Sequence, residues 1–362
     1  MRKYFVWILL FFVTTAQAQQ LLRPGFDADE YADLLFMNFY MMNKTAYVGK
    51  DTTMLKGSYR KLYQSPEVGL YNRVELFKRS DGVGIISLRG TVMKTESWLE
   101  NFHAAMIRAN GSWQINDSTV IKYQLAADSN AYVHAGWMIG LAHLAPIVLQ
   151  QMAQQPMKEW IIMGHSQGGA LAFLMTSYLH YYFKQQQQSY HFKAYFSAAP
   201  KPGNQVYAYD LEHITRDGWG FRVVNSADWV PETPFTIQKV EDMNAVNPFA
   251  NITNLLGNVP FFTRVGLNYA FNRMRKGTSK ATRINRKYLG NLIYPQINKT
   301  LPQLRKQEFV YSSQFMTAGT PVILMANKTY LEKYPFDGKN LFIHHMYQPY
   351  LDVLRIYYPA KK

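Results

Sequence analysis

Short apolar runs alternate with stretches of helical periodicity through the first two thirds of the chain. Stretches Tyr132–Gln151 and Ala170–Phe183 keep apolar residues at helical spacing, whereas Tyr71–Phe77 alternates as an antiparallel strand does. This order predicts an α/β fold with a mostly parallel central sheet and helices on both faces. The predicted buried strands are Gly84–Leu88, Trp160–Met163, Tyr195–Ser197 after Phe192, and Phe221–Val224.

The pattern loosens between residues 236 and 335. One more strand candidate, Thr320–Ala326, lies inside this region, and one more helix follows it. We therefore expect an insertion or cap within a single domain, residues 19–362, and not an independent domain. The apolar segment Ile252–Phe271 in this region predicts either a lid that opens at a lipid surface or an ordinary packed cap.

The first 18 residues have the pattern of a cleavable signal peptide. Arg2 and Lys3 precede the apolar core Phe5–Val13, and an Ala-x-Ala motif ends at Ala18. The core is about half the length that a membrane-spanning helix needs. The chain contains no cysteine, which excludes disulfides and a lipid anchor on cysteine. The sequence predicts a secreted or periplasmic chain of bacterial type, without a transmembrane segment after cleavage.

The formal net charge of +15 suits nucleic acid, an anionic membrane surface or simple solubility. Predicted export argues against nucleic acid as the partner. The charge is densest in Arg273–Lys287, which holds seven basic residues and no acidic residue. This run predicts either a solvated surface or peripheral contact with an anionic membrane surface.

A serine stands where a predicted strand changes into a predicted helix. Its surroundings, Gly164–Gly168 (GHSQG), have the G-x-S-x-G spacing of a nucleophile elbow. A sharp turn there would hold the hydroxyl above the carboxyl ends of parallel strands, where the first helical amides favour a developing oxyanion. We predict Ser166 as the nucleophile. The alternative is a serine that caps an ordinary helix.

A serine nucleophile needs a general base and an orienting acid, which in this fold class follow the serine in the order acid, then histidine. Asp228 is the best candidate acid because it comes directly after the strand Phe221–Val224. Its alternative interpretation is a turn before Pro231. The other acids considered are Asp217, Glu232 and Asp242.

The candidate bases are His344 and His345, just ahead of a last helix that is predicted to begin around Pro349. A loop in that position can fold over the rim of the sheet. The remaining downstream histidines lie within the helix after the serine or precede the acid; they are His180, His191 and His213.

Five stretches of the chain together resemble the class 3 lipase family, which has an α/β-hydrolase fold. They are SLRGT (Ser87–Thr91), YVHAGW (Tyr132–Trp137), GHSQGGALA (Gly164–Ala172), SAAPKPGN (Ser197–Asn204) and FRVVNSADWVPETP (Phe221–Pro234). They occur in the order that the family has. Two stretches depart from the family pattern: SAAP lacks the usual glycine before the proline, and Trp98–Asn101 replaces an acid-rich Trp-Leu-x-Asp.

The resemblance implies a role for each matching position. Ser166 would be the nucleophile and Asp228 the triad acid, and the amides of Thr91 and Gln167 would form the oxyanion hole. For the base, many members show His, four residues, then Tyr, which fits His345; a shorter variant of that spacing fits His344. We take His345 as the predicted base.

The implied activity is hydrolysis of carboxylic esters, acylglycerols above all, through an acyl-enzyme and without a metal or organic cofactor. The implied partner is a lipid or a small ester. One alternative is an acyltransferase or thioesterase with the same triad. Another is a non-catalytic secreted binding protein on a hydrolase scaffold, which would be expected to lack a triad member.

Overall fold

The computed structural model describes residues 20–42, 58–251, 256 and 259–360; the predicted signal peptide, residues 1–18, lies outside them. The described strands are β1 (Tyr59–Gln64), β2 (Val74–Arg79), β3 (Gly84–Leu88), β4 (Met106–Arg108), β5 (Asn110–Asn116), β6 (Thr119–Gln124), β7 (Tyr132–His134), β8 (Glu159–His165), β9 (His191–Ser197), β10 (Gly220–Asn225) and β11 (Thr320–Leu324). The described helices are α1 (Ala28–Met42), α2 (Thr95–Phe102), α3 (Ala135–Ala153), α4 (Gln167–Gln185), α5 (Gln205–Ile214), α6 (Phe261–Asn285), α7 (Tyr294–Thr300), α8 (Lys328–Lys333) and α9 (Tyr347–Tyr357).

In this described part, the main sheet has seven strands in the order β1-β2-β3-β8-β9-β10-β11. The pairs β1–β2 and β2–β3 are antiparallel, and every pair from β3 to β11 is parallel. The predicted α/β fold with a mostly parallel sheet is confirmed. Because the carboxyl ends of parallel strands share one edge, the segments after β3, β8, β9 and β10 meet there.

Side chains of the central strand β8 point alternately into two hydrophobic cores. Trp160 and Ile162 pack in the core that α3 and α4 cover, whereas Ile161 and Met163 pack in the core that α1 and α9 cover. All four side chains are fully buried. This strand is apolar throughout because both of its faces are covered, as is typical of parallel sheets.

The predicted helix Tyr132–Gln151 is wrong at its start. Residues Tyr132–His134 form β7, which pairs with β4 in antiparallel orientation. The imidazole of His134 then accepts a hydrogen bond from the Trp137 amide (3.3 Å) and caps α3. Periodicity could not reveal this boundary, because the strand depends on pairing with a distant segment.

A long connection joins β10 to β11. These strands are parallel neighbours, with Asn225 opposite Leu324, so the chain leaves the sheet at the carboxyl end of β10 and returns to it at the opposite end, where β11 begins. Strand β11 lies within the predicted insertion, residues 236–335, whose limits stay a prediction. No helix in the described ranges is long and apolar enough to cross a membrane.

Candidate active site

Ser166 occupies a sharp turn between β8 and α4. Its φ of 62° and ψ of −130° are rare for a residue with a side chain. Two glycines allow neighbouring backbone to come close: a Cβ at Gly164 would lie 2.0 Å from the Gly168 carbonyl oxygen, and one at Gly168 would lie 2.2 Å from the Leu88 carbonyl oxygen. The turn therefore holds the serine at the carboxyl edge of the sheet, directly before the first residue of α4.

Asp228 and His345 form a buried hydrogen-bonded pair at the same edge. The Nδ1 atom of His345 lies 2.7 Å from Oδ2 of Asp228, which also accepts a hydrogen bond from the Tyr350 hydroxyl (2.8 Å). The second carboxylate oxygen accepts from the Val230 amide at 3.1 Å. Since a carboxylate can only accept, Nδ1 of His345 donates in this hydrogen bond and carries a proton.

His344 points away from this carboxylate. Its Nδ1 atom bonds to the Tyr330 hydroxyl at 3.0 Å, and its carbonyl oxygen accepts from the Asn225 side chain at 3.0 Å. Burial lowers the pKa of His344. Of the histidine doublet, then, His345 lies against Asp228 and His344 lies against Tyr330.

The other acids and histidines considered from the sequence have other surroundings. Asp242 is paired with Lys239 (3.5 Å), and the Asp217 side chain is 82% exposed. Glu232 ends a short 3₁₀ helix that begins two residues after Asp228. His180 lies within α4 and His213 within α5, whereas His191 begins β9 at the edge of the sheet opposite to the carboxyl ends.

Sequence reasoning missed His165, which holds the loop of His345 in place. Its Nε2 atom donates to the His345 carbonyl oxygen (2.8 Å), and its Nδ1 atom bonds to Ser197 Oγ (2.9 Å). Ser197 in turn bonds to the Tyr31 hydroxyl at 2.7 Å. Burial, and secondly the nearby His345, keep the pKa of His165 well below its usual range, so this histidine is neutral.

The distance between the His165 and His345 ring centres is 4.7 Å, and His165 immediately precedes Ser166. The Nε2 atom of His345 is nevertheless buried without a hydrogen-bond partner among the described residues. The structure therefore brings the acid and the base together next to the serine turn but does not join the base to the serine hydroxyl. Such bonds are often long in free enzymes and shorten when substrate binds.

Thr91 and Gln167, the predicted oxyanion pair, lie side by side. The Thr91 hydroxyl donates to Gln167 Oε1 (2.8 Å) and accepts from Asn101 Nδ2 (2.9 Å). Ser97 also bonds to Gln167 Oε1, at 3.3 Å. Because Gln167 is the first residue of α4, its amide has no acceptor within the helix and is available to a ligand. Helix α2 thus supplies neutral side chains that fix both residues.

A buried carboxyl group, Glu100, lies beneath this network and was not predicted. Its Oε2 atom accepts from Asn72 Nδ2 at 2.6 Å, and its side chain is fully buried. Burial raises the pKa of Glu100 to about 8, and hydrogen bonds from Asn72 and Gln167 oppose that rise. Glu100 is therefore protonated and neutral near pH 7.

Aromatic side chains border the site. The ring of Phe342 lies 5.8 Å from that of His345, 5.4 Å from Trp229 and 6.0 Å from Trp98 of α2. The neighbouring Met93 side chain is 90% exposed. The rim of the site beside the base is therefore apolar where Phe342 contacts His345. Within the described residues, no group of three or more His, Asp or Glu side chains is arranged to hold a metal ion.

The family model of class 3 lipases matches residues 85–238. This range contains Thr91, Ser166 and Asp228 and ends before His345. Over these residues the chain is similar to the class 3 lipase family, and this match confirms the resemblance seen in the sequence. A match to this family indicates a carboxylic ester hydrolase. No curated protein matches the chain.

Solved structures of lipases are similar to this chain at low sequence identity. A mutant form of MDLA from Penicillium cyclopium and the Lip2 lipase from Yarrowia lipolytica each show 17% identity and a TM-score of 0.42, covering 57% of this chain and 73% of theirs. Lipase II from Rhizopus niveus shows 18% identity and a TM-score of 0.41, covering 57% of this chain and 74% of its own.

Proposed function

We propose that this protein is an exported serine esterase that hydrolyses lipid esters with Ser166, His345 and Asp228. The observation that carries the proposal is the buried 2.7 Å hydrogen bond between His345 and Asp228, next to a serine with left-handed backbone geometry. Such geometry costs free energy and persists where function requires it. A carboxylate that orients an imidazole, beside a serine on a strand-to-helix turn, is the arrangement that acyl transfer needs.

The reaction begins when the Ser166 oxygen attacks the acyl carbon and its proton moves to Nε2 of His345. Asp228 stabilises the imidazolium, and the negative oxygen of the tetrahedral intermediate accepts hydrogen bonds from the amides of Thr91 and Gln167. His345 then returns the proton to the departing alcohol. Water, activated by the same imidazole, attacks the acyl-enzyme and releases the carboxylic acid.

The apolar rim supports an acyl chain as the part of the substrate that is recognised. Met93 and Trp229 expose 90% and 42% of their surface, and Phe342 lies between Trp229 and Trp98. Burying apolar surface of the substrate there would contribute about 25 cal/mol of binding free energy per Å² of surface removed from water. We therefore expect activity on p-nitrophenyl esters to rise with acyl length before it levels off.

Replacement of the nucleophile tests the proposal. Ser166→Ala should lower kcat on short p-nitrophenyl esters by at least about 10³-fold, since loss of a triad serine has cost up to ~10⁶-fold elsewhere. It should also abolish covalent labelling by a fluorophosphonate. Ser129→Ala, at an exposed loop position, is the matched control. Unchanged hydrolysis by Ser166→Ala would refute the proposal, and a wild type that is never labelled would favour a non-catalytic binding protein.

Export is part of the same proposal and rests on residues 1–18 alone. Cleavage after Ala18 would leave a chain that begins at Gln19. N-terminal sequencing of protein recovered from outside the cytoplasm checks this directly, and an intact N-terminus would contradict it.

A further inference from the structure

Helix α6 is attached to the rest of the protein mainly through its C-terminal end. Of its 25 residues, only Thr282 and Asn285 are buried. The π-helical segment Arg286–Leu292 that follows it is anchored where the Leu289 carbonyl oxygen bonds to His103 (3.1 Å) and where Gly290 packs against Phe309. We call Phe261–Asn285 the arm. Its first half is the described part of the segment that the sequence suggested as a lid.

The arm exposes large apolar side chains near its start. Phe261, Phe262, Val265 and Tyr269 are 62%, 87%, 51% and 67% exposed. Spacings of one, four and eight residues from Phe261 place them on one face of the helix. An exposed apolar patch of this kind marks a surface that a partner covers.

The same face becomes basic along the second half of the arm. Lys276, Lys280 and Arg283 follow Tyr269 at helical spacing and lie on the same face. We call these three residues the basic stem, and we call the four apolar residues from Phe261 to Tyr269 the apolar tip. None of these three makes an ion pair within the described residues. The only acid there that pairs with the arm is Glu241, which bonds to Arg275 at 2.7 Å. The basic stem is therefore uncompensated.

We propose that the arm binds an anionic lipid bilayer. Its apolar tip would enter the boundary between headgroups and acyl chains, while its basic stem stays at the level of the phosphates. Nucleic acid would use the stem but leave Phe261 and Phe262 in water. A second copy of the chain would set one basic stem near another, and like charges repel.

The arm and the candidate active site are both attached to helix α2. His103, which bonds to the foot of the arm, directly follows α2, and α2 supplies Ser97 and Asn101 to the oxyanion network. Docking of the arm therefore keeps α2 near the lipid surface. Binding itself needs no hydrolysis, so this inference does not rest on the proposed function.

Vesicle sedimentation with the mature chain tests the inference in a Ser166→Ala background, which leaves the lipid intact. The probe is sucrose-loaded vesicles of phosphatidylcholine, with or without phosphatidylglycerol. Neutralising the stem with Lys276→Gln, Lys280→Gln and Arg283→Gln should weaken binding to the anionic vesicles about 100-fold, since each basic residue near the surface contributes a factor of about five. The control triple Lys122→Gln, Lys184→Gln and Lys328→Gln changes the net charge equally and should leave binding unchanged.

The apolar tip is tested with Phe261→Ser and Phe262→Ser together. We expect binding to fall about 10- to 100-fold because two aromatic side chains no longer enter the membrane. Val120→Ser and Leu331→Ser, at exposed positions elsewhere, should have no effect.

Three results would overturn the inference: equal binding to neutral and anionic vesicles, unchanged binding by the stem variant, or no vesicle binding at all. In the last case, self-association that the tip variant abolishes would identify a second copy as the occupant, and salt-sensitive DNA binding would identify nucleic acid. Hydrolysis of soluble esters is measured separately on the active chain. A chain that binds vesicles but hydrolyses nothing would refute only the proposed function.

Discussion

The two sides of Ser166 are built from different chemistry. On the base side, a buried carboxylate accepts hydrogen bonds from His345, Tyr350 and the Val230 amide. On the oxyanion side, the side chains that surround Gln167 are neutral, and Glu100 beneath them is kept protonated by burial. Negative charge thus lies where the proposed mechanism forms an imidazolium and is absent where it forms an oxyanion. The comparison teaches that the site does more than position side chains. It also keeps negative charge on the side of His345 and away from the side of Gln167.

The comparison is tested most severely at the histidine doublet. His345→Ala removes the base and should lower kcat on p-nitrophenyl esters by about 10⁵- to 10⁶-fold. His344→Ala removes only a contact with Tyr330 and should cost less than about tenfold. Steady-state kinetics on both purified variants measure this. The reverse order of effects would assign the base to His344 and contradict the geometry.

The carboxylate comes next. Asp228→Asn should lower kcat about 10⁴-fold, because an amide can hold the imidazole in the wrong tautomer. Tyr350→Phe leaves the carboxylate in place and removes one of its three donors, so a loss below about tenfold is expected. If the two variants lose equal activity, the charge on this side matters less than its packing.

The oxyanion side is probed by Gln167→Met, which keeps the helix and its amide but removes the acceptor for Thr91 and Ser97. We expect kcat to fall about 10- to 100-fold with little change in KM, less than the loss of a whole oxyanion donor. Gln185→Met, at the exposed end of the same helix, is the control. An unchanged kcat would show that the amides stay in position without this side chain.

The smallest effect is expected from Glu100→Gln, and it depends on pH. Because the folded-state pKa is raised from 4.5 to about 8, the folded protein holds this proton more tightly than the unfolded chain does. Its contribution to stability is therefore complete at low pH and is lost as pH rises from 4.5 to 8. Thermal unfolding should show the wild type losing stability relative to the variant across this range.

The same carboxyl group should affect catalysis above its pKa. Once Glu100 ionises, its charge opposes the oxyanion, so wild-type kcat should fall relative to Glu100→Gln as pH passes about 8. If the dependence of kcat on pH has the same shape in both proteins, then Glu100 stays neutral or is too distant to act.

Much of the fold was predictable because it depends on local pattern. The apolar runs lie within β3, β8, β9 and β10. The serine turn was predictable because Gly164 and Gly168 stand where a Cβ atom would collide with neighbouring backbone. Asp228 could be named because it follows a recognisable strand.

Other features depend on contacts that no local pattern records. The difference between His344 and His345 arises from contacts of His344 with Tyr330, 14 residues away, and with Asn225, 119 residues away. The helix predicted from Tyr132 begins three residues later because those residues pair with β4. His165 and Glu100 look like ordinary polar residues until burial and their partners are known.

The pairing of β10 with β11 has a consequence for biosynthesis. Asn225 lies opposite Leu324, although almost one hundred residues separate them, and the base follows only at residue 345. Closing so long a loop is slow compared with forming local helices. A ribosome that has completed the serine turn therefore carries a polypeptide that still lacks the proposed base, and the proposed esterase activity can start only after translation has passed residue 345.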